Sequence, residues 1–183
     1  MNLKGIIAEI DKALIAQIPL QPTKAFGLAE FYYDGDKRFP GVVNGTEVTN
    51  CLLDDSYQVS WYHRSESTDY RVIENNYGDK MDKVEEITPV NLIIYARRSK
   101  PLQVIKDIFA SALPSVLSKL VCESLMLFDC TIELKGAEMN TTLVFKDECT
   151  VPDVRVGIEH GLIAIRYDIK STYRRGCETI CEC

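Results

Sequence analysis

The feature of this sequence that most constrains its fold is an alternating pattern of apolar and polar residues between residues 162 and 173. The apolar members are Ile163, Ile165, Tyr167, Ile169 and Tyr173, and the polar members are Arg166, Asp168, Lys170 and Thr172. Successive side chains of a β-strand point to opposite faces of a sheet. The alternation therefore predicts a strand whose odd-numbered residues face a core, while its even-numbered residues face water, a groove or a partner.

A second two-faced strand is predicted between residues 57 and 64. One face carries Tyr57, Val59, Trp61 and His63, and the other carries Gln58, Ser60, Tyr62 and Arg64. Since His63 shares its face with Val59 and Trp61, we expect a hydrogen-bonded histidine in a core or an interface rather than a catalytic base. His160 lies beside Gly161 in a turn context and gives no catalytic signal.

Two stretches instead follow the period of an α-helix. Residues 2–18 place their apolar side chains on one stripe: Leu3, Ile6, Ile7, Ile10, Leu14 and Ile18. Asp11, Lys12 and Gln17 are expected to fall away from this stripe. The second helix is predicted over residues 102–120, with Pro114 causing a kink or a break into two helices.

The rest of the chain predicts further strands and turns. Asp34-Gly35-Asp36-Lys37 is typical of a hairpin turn, and Pro40 favours an edge position for the strand that follows it. Residues 125–134 alternate like a strand, and Thr142 to Phe145 is predicted to be the partner strand. The order of elements is thus helix, strands, helix, strands.

This order predicts an α+β fold in which an N-terminal helix and a middle helix pack on a mainly antiparallel β-sheet. A length of 183 residues fits one domain. We therefore expect a single α+β domain over residues 1–176, followed by a cysteine-containing C-terminal tail over residues 177–183.

Net charge limits the partners that this chain favours. The formal net charge is −6, with no long run of either sign, and an acidic surface repels phosphate backbones. No stretch has the length of apolar sequence that a transmembrane helix needs. Glu9, Asp11 and Lys12 interrupt the apolar residues near the start, so a signal peptide is not predicted. We expect synthesis in a cytoplasm, no membrane partner and no sequence-specific nucleic-acid partner.

Motifs for catalysis and cofactor binding are missing from the sequence. It contains no G-x-x-x-x-G-K-[ST], G-x-G-x-x-G, G-x-S-x-G or H-E-x-x-H pattern. The closest approach to a metal site is the spacing C-x3-C-x-C of Cys177, Cys181 and Cys183, which lacks the C-x2-C pair of structural zinc sites. A metal site, a disulfide and free thiols remain open for these cysteines, and free thiols are favoured. We predict no enzyme activity, catalytic residue, cofactor or metal.

The order of elements resembles that of the neck proteins of tailed bacteriophages, the head–tail connector and tail-terminator group. The resemblance is carried by LKGIIAEIDKALIAQI, SKPLQVIKDIFASAL and LIAIRYDIKSTYRRG. It implies a structural virion protein without catalysis, whose copies form a ring and contact other neck or tail proteins. Arg166, Asp168 and Lys170, on the polar face of the last predicted strand, are then candidates for intersubunit contacts. The alternative is a non-viral α+β domain that binds a small molecule, through His63 or a cysteine, or acts as an adaptor.

Overall fold

The computed structural model describes residues 3–52, 56–76, 81–97, 101–123, 129–150, 156 and 159–176. Of residues 73–76, 81–82, 115–123, 129–130 and 173–176 it describes the backbone. The described residues form three helices, α1 (Leu3–Gln17), α2 (Leu102–Glu123) and α3 (Thr141–Glu148). They also form nine strands: β1 (Thr23–Leu28), β2 (Glu30–Asp34), β3 (Lys37–Asn44), β4 (Glu47–Asn50), β5 (Val59–Ser65), β6 (Asp69–Asn76), β7 (Met81–Arg97), β8 (Asp129–Glu138) and β9 (His160–Gly176).

The strands form a large sheet and a small one. The large sheet has six strands, five of them in the order β1-β5-β7-β9-β8. The sixth strand, β6, pairs with β7 and lies outside this linear order. The strand pairs of the large sheet are antiparallel except for the parallel pair of β1 and β5. β7 and β9 pair along their whole lengths, from Met81 opposite Gly176 to Arg97 opposite His160. The predicted α+β fold, with a first and a middle helix on a mainly antiparallel sheet, is confirmed.

Both faces of the large sheet are covered near β5. On one face, α1 and α2 pack against odd-numbered residues of β5 and β9, and Trp61 meets Phe109 of α2 edge to face at 5.2 Å. On the other face, a second core joins Tyr62 and Leu162 to α3 and the small sheet. The two-faced pattern is therefore confirmed for residues 59–64 of β5 and residues 165–170 of β9. The beginning of β9 differs from the expectation because Leu162 and Ala164, at even positions, are also buried.

The predicted strand from Thr142 to Phe145 is wrong, because these residues lie in α3. The side chain of Asn140 accepts hydrogen bonds from the backbone amides of Thr142 and Leu143, which caps the helix N-terminus. Thr141 then attaches the helix to the sheet, since its hydroxyl oxygen accepts a bond from the amide of Leu162 at 3.2 Å. The strand that pairs with β8 is β9.

The expected edge position of Pro40 is also wrong, because β3 is the middle strand of the small sheet β2-β3-β4. The Pro40 carbonyl accepts a bond from the amide of Cys51 at 3.0 Å, so it points to the side of β4. In an antiparallel strand the nitrogen of a residue points to the same side as its carbonyl. The missing amide hydrogen of Pro40 therefore interrupts no pairing with β2, and β4 ends at Asn50, before the position opposite Pro40.

α2 continues past Pro114, so of the two predicted alternatives, a kink or a break, the break into two helices does not occur. Pro114 lies on the exposed side of the helix. There, water can bond to the carbonyl that proline leaves without its usual amide partner.

Replacing Asn140 with alanine should lower the free energy of unfolding by about 1 kcal/mol, because two amides at the start of α3 lose their acceptor. Urea denaturation followed by circular dichroism measures this change. Asn140→Asp, which keeps a side-chain oxygen, should stay close to the wild type. Equal losses in both variants would contradict the assignment of Asn140 as the cap.

Candidate functional site

Asp11 is a buried acid between α1 and the large sheet, with an exposed fraction of 6%. It follows Ile7 by four residues and precedes Leu14 by three, and residues at these spacings share one face of a helix. Both neighbours belong to the core beneath α1. The expectation that Asp11 falls away from the apolar stripe is therefore wrong. The spacing alone places it on the buried face, and only its polar character argued otherwise.

The carboxylate of Asp11 accepts two hydrogen bonds from β5. Its Oδ1 atom lies 2.7 Å from Nε1 of Trp61 and 2.8 Å from Nε2 of His63. Trp61 and His63 share a face of the strand because they are two residues apart. The other ring nitrogen of His63, Nδ1, lies 2.7 Å from the hydroxyl of Tyr167 on β9. One continuous network thus joins α1, β5 and β9.

Proton positions in this network follow from the chemistry of its members. The indole nitrogen of Trp61 can only donate, so Asp11 accepts from it. Burial, and then the charge of Asp11, raise the pKa of Tyr167 well above its usual value, so the hydroxyl keeps its proton. In the neutral imidazole, Nε2–H of His63 donates to Asp11 and Nδ1 accepts from Tyr167. Both ring nitrogens are thereby occupied.

The expectation of a hydrogen-bonded core histidine is confirmed. His63 has an exposed fraction of 0%. A general base must reach the proton that it removes from a substrate, and this ring is both enclosed and fully bonded. The hydrogen-bonded series of Asp11, His63 and Tyr167 is similar to the acid–base relay of an enzyme. Its geometry, however, holds α1, β5 and β9 together and offers no side chain to a substrate.

A β-bulge in β1 lies next to this network. The pairing of β1 with β5 shifts register between Ala25 and Leu28, opposite Trp61 and His63. Gly27 has a φ of +82° there, and a Cβ atom on it would lie 3.9 Å from Oδ2 of Asp11. Positive φ favours glycine, so Gly27 lets β1 pass the carboxylate and leave the large sheet toward β2.

A second buried carboxylate, that of Glu148, occupies the opposite face of β5, with an exposed fraction of 1%. Its Oε2 accepts a bond of 3.0 Å from the hydroxyl of Tyr62. Its Oε1 lies 2.9 Å from Nη2 and 3.1 Å from Nε of Arg64. Burial, followed by the charge of Glu148, raises the pKa of Tyr62 well above its usual value. Glu148 thereby attaches the end of α3 to β5.

Arg64 also helps to attach the small sheet. Its guanidinium lies 4.8 Å from the ring centre of Phe31 on β2, and that of Arg38 on β3 lies 4.5 Å from the same ring. Arg38 donates to the backbone carbonyls of Lys146 and Asp147 near the end of α3, at 3.3 and 2.8 Å. Cations near a helix C-terminus stabilise the helix. Arg38 therefore connects β3 to the end of α3, and Glu148 connects the same end of α3 to β5.

The sequence-predicted contact residues lie on one face of β9, as their spacing requires. Arg166 is exposed, Asp168 lies 3.3 Å from Lys135 of β8, and Lys170 lies 3.4 Å from Glu85 of β7. β9 is an interior strand between β7 and β8, so these side chains lie on a sheet surface and not at an edge. Their role in subunit contacts stays a prediction.

The cysteines of the predicted tail, Cys177, Cys181 and Cys183, lie outside the described residues. Within the described ranges, no three side chains of His, Cys, Asp or Glu come together as a group that could hold a metal ion. Burial raises the pKa of Cys51, in the core under α3, to about 12. In the same part of the chain, none of the helices has the length and hydropathy needed to cross a bilayer.

No protein-family model matches this sequence, and no curated protein is significantly similar to it. The function therefore has to be argued from the fold and its side chains.

Replacing Asp11 with alanine should lower the free energy of unfolding by about 3 kcal/mol or more, because two buried donors lose their acceptor. Asp11→Asn keeps an oxygen acceptor and should lose less. Glu9→Ala, at a half-exposed position of the same helix, should change stability by less than about 0.5 kcal/mol. Chemical denaturation measures all three. Similar losses for Asp11→Ala and Glu9→Ala would contradict the role of the network.

The buried tyrosines should make the protein less stable at alkaline pH. The pKa values of Tyr62 and Tyr167 are raised in the folded state, while a tyrosine in an unfolded chain titrates near about pH 10. Above that pH, the unfolded chain releases protons that the folded chain keeps. Their contribution is thus fully present below about pH 10, and each should lose up to about 1.4 kcal/mol per pH unit above it.

Urea denaturation between pH 8 and pH 11 measures this loss. Tyr167→Phe should decline less steeply than the wild type, because phenylalanine does not titrate. The core substitution Ile165→Val, which lowers stability without removing a titrating group, should keep the wild-type slope. The prediction fails if Tyr167→Phe declines as steeply as the wild type.

Proposed function

We propose that this chain is a structural subunit of a tailed bacteriophage virion, which forms a ring at the head–tail joint or serves as the tail terminator. Its proposed partners are further copies of itself and neighbouring neck or tail proteins. The role needs no catalysis, cofactor, membrane or sequence-specific contact with nucleic acid. The protein would be made in the host cytoplasm and would end in the virion.

The observation that carries this proposal is the exposure of apolar side chains on strands with an open side. Tyr70 and Val72 of β6 have exposed fractions of 64% and 51%, and Val48 of β4, an edge strand of the small sheet, has 41%. An exposed strand edge offers unpaired backbone groups, and apolar side chains on it favour association with another chain. Such surfaces are typical of subunits that assemble.

The use of the buried polar groups supports a structural role over the alternative of a small-molecule-binding domain. Asp11 and His63 bond to each other, and Glu148 bonds to Arg64 and Tyr62. These groups connect secondary-structure elements on the two faces of β5. The resemblance to the neck proteins rests on the order α1, strands, α2, strands, although α3 stands between the last two strands of this chain.

Light scattering and electron microscopy of the purified protein test the proposal. We expect one closed ring species, with a molar mass that is a fixed multiple of the 20.7 kDa chain over a tenfold range of concentration. Protein that stays monomeric at the highest concentration would contradict the ring. Thermal-shift screening distinguishes the alternative, since a specific small molecule that stabilises the monomer would favour a binding domain.

A further inference from the structure

One part of the large sheet has two open edges. Its strand order is β6-β7-β9-β8, with every pair antiparallel. Within the described residues, no strand pairs with the outer side of β6 or with the outer side of β8. A chain that carries two different open edges can associate head to tail, and such contacts close into rings when the rotation between subunits allows it.

The direction of the strands suits a junction between β8 of one copy and β6 of the next. Four strands alternate in direction between these edges, so β6 and β8 run in opposite directions. A rotation about an axis roughly parallel to the strands keeps the direction of each strand. β8 would therefore meet β6 of the next copy in antiparallel orientation, and the alternation would continue without interruption around the ring.

The apolar side chains at the two edges lie on the same face of the sheet. Val72 is in register with Val84, which pairs with Tyr173, while Leu134 pairs with Tyr167. Because residues 167 and 173 of β9 share a face, so do Val72 and Leu134. Their exposed fractions are 51% and 37%. Each edge thus presents an apolar surface on the face that carries α1 and α2.

The opposite face presents complementary charges at the two edges. Arg71 of β6 forms an ion pair with Glu85, and its side chain is 64% exposed. Glu133 of β8 pairs with Lys135, and its side chain is 60% exposed. Contact between unlike edges would bring Arg71 near Glu133, whereas contact between like edges would bring like charges together, so the first is favoured even though Lys135 offsets part of the charge of Glu133.

From these observations we propose that β8 of one copy pairs with β6 of a second copy, so that one antiparallel sheet continues through the assembly. The inference rests on the proposed ring and names the surface that builds it. β6 and β8 are offset along the strand direction, since β6 aligns with residues 170–176 of β9 and β8 with residues 164–172. Tilted strands in closed sheets require such a stagger.

The small sheet is less suited to the same role. Its order is β2-β3-β4 with antiparallel pairs, so β2 and β4 run in the same direction. Joining β4 of one copy to β2 of the next would give a parallel junction between strands of four and five residues. Parallel pairing is slightly less stable per residue.

Two variants with one damaged edge each test the proposal. Tyr70→Asp/Val72→Asp places charges on β6, and Leu134→Asp places a charge on β8. We expect each variant alone to lose ring formation, with at least a tenfold rise in the concentration needed for assembly. A mixture of the two should form a heterodimer, because one intact β8 edge meets one intact β6 edge. Analytical ultracentrifugation of each variant and of the mixture measures these states.

Leu143→Asp is the matched control, since Leu143 is 48% exposed but belongs to α3 and to neither edge strand. It should assemble like the wild type. Circular dichroism and thermal unfolding check that each variant folds. As a second measurement, the photo-crosslinking amino acid p-benzoylphenylalanine in place of Tyr70 should attach to residues 129–138 of another copy.

The outcomes separate this inference from the proposed function. Rings that persist in both edge variants, or crosslinks that map to another segment, would overturn the β8–β6 junction while the ring stands. Edge variants that stay monomeric when mixed would overturn the head-to-tail arrangement. A wild-type chain that remains monomeric at every concentration would overturn both proposals.

Discussion

The Asp11 carboxylate is the group on which the arrangement of α1 and the large sheet depends. It accepts bonds from Trp61 and His63, and His63 extends the network to Tyr167 of β9. A buried carboxylate without such partners costs several kcal/mol, so few positions of α1 on the sheet are compatible with it. Apolar contacts alone would tolerate a helix shifted along the sheet. The network removes that freedom, and it does so with residues from three elements that are distant in sequence.

On the opposite face of β5, a buried carboxylate likewise attaches a different helix to the strand. Glu148 of α3 accepts bonds from Tyr62 and Arg64, which alternate along the strand with Trp61 and His63. β5 is therefore held on both faces by a carboxylate that a helix supplies. The alternation of side chains in a strand makes this possible, because adjacent residues of β5 reach separate layers. A chain with a layer on each face can bury both sides of its sheet and still leave some strand edges open.

The sequence predicts those elements in which the apolar residues of the periodic pattern are the residues that become buried. The alternation of β5 and β9 and the stripe of α1 are of this kind. The polarity of Asp11 predicts an exposed residue although its spacing places it on the buried face of α1, and its pairing in space with His63 cannot be read from one sequence. Thr142 and Val144 favour strands, so residues 142–145 predict one, whereas Asn140 caps a helix. The small sheet was predicted only as a hairpin, since its third strand, β4, consists entirely of exposed residues.

The long strands β7 and β9 connect the buried part of the sheet to its open edges. Residues 90–96 of β7 pair with β5 between the two covered faces, while residues 81–87 of the same strand pair with β6. A strand that is paired on both sides along its length cannot turn independently in its two halves. The pairing of β7 with β9 along its whole length therefore fixes the direction in which β6 presents Tyr70 and Val72 relative to the covered part of the sheet. In the proposed ring, the angle between neighbouring subunits would then follow from the twist of one sheet rather than from flexible loops, which favours a single subunit number.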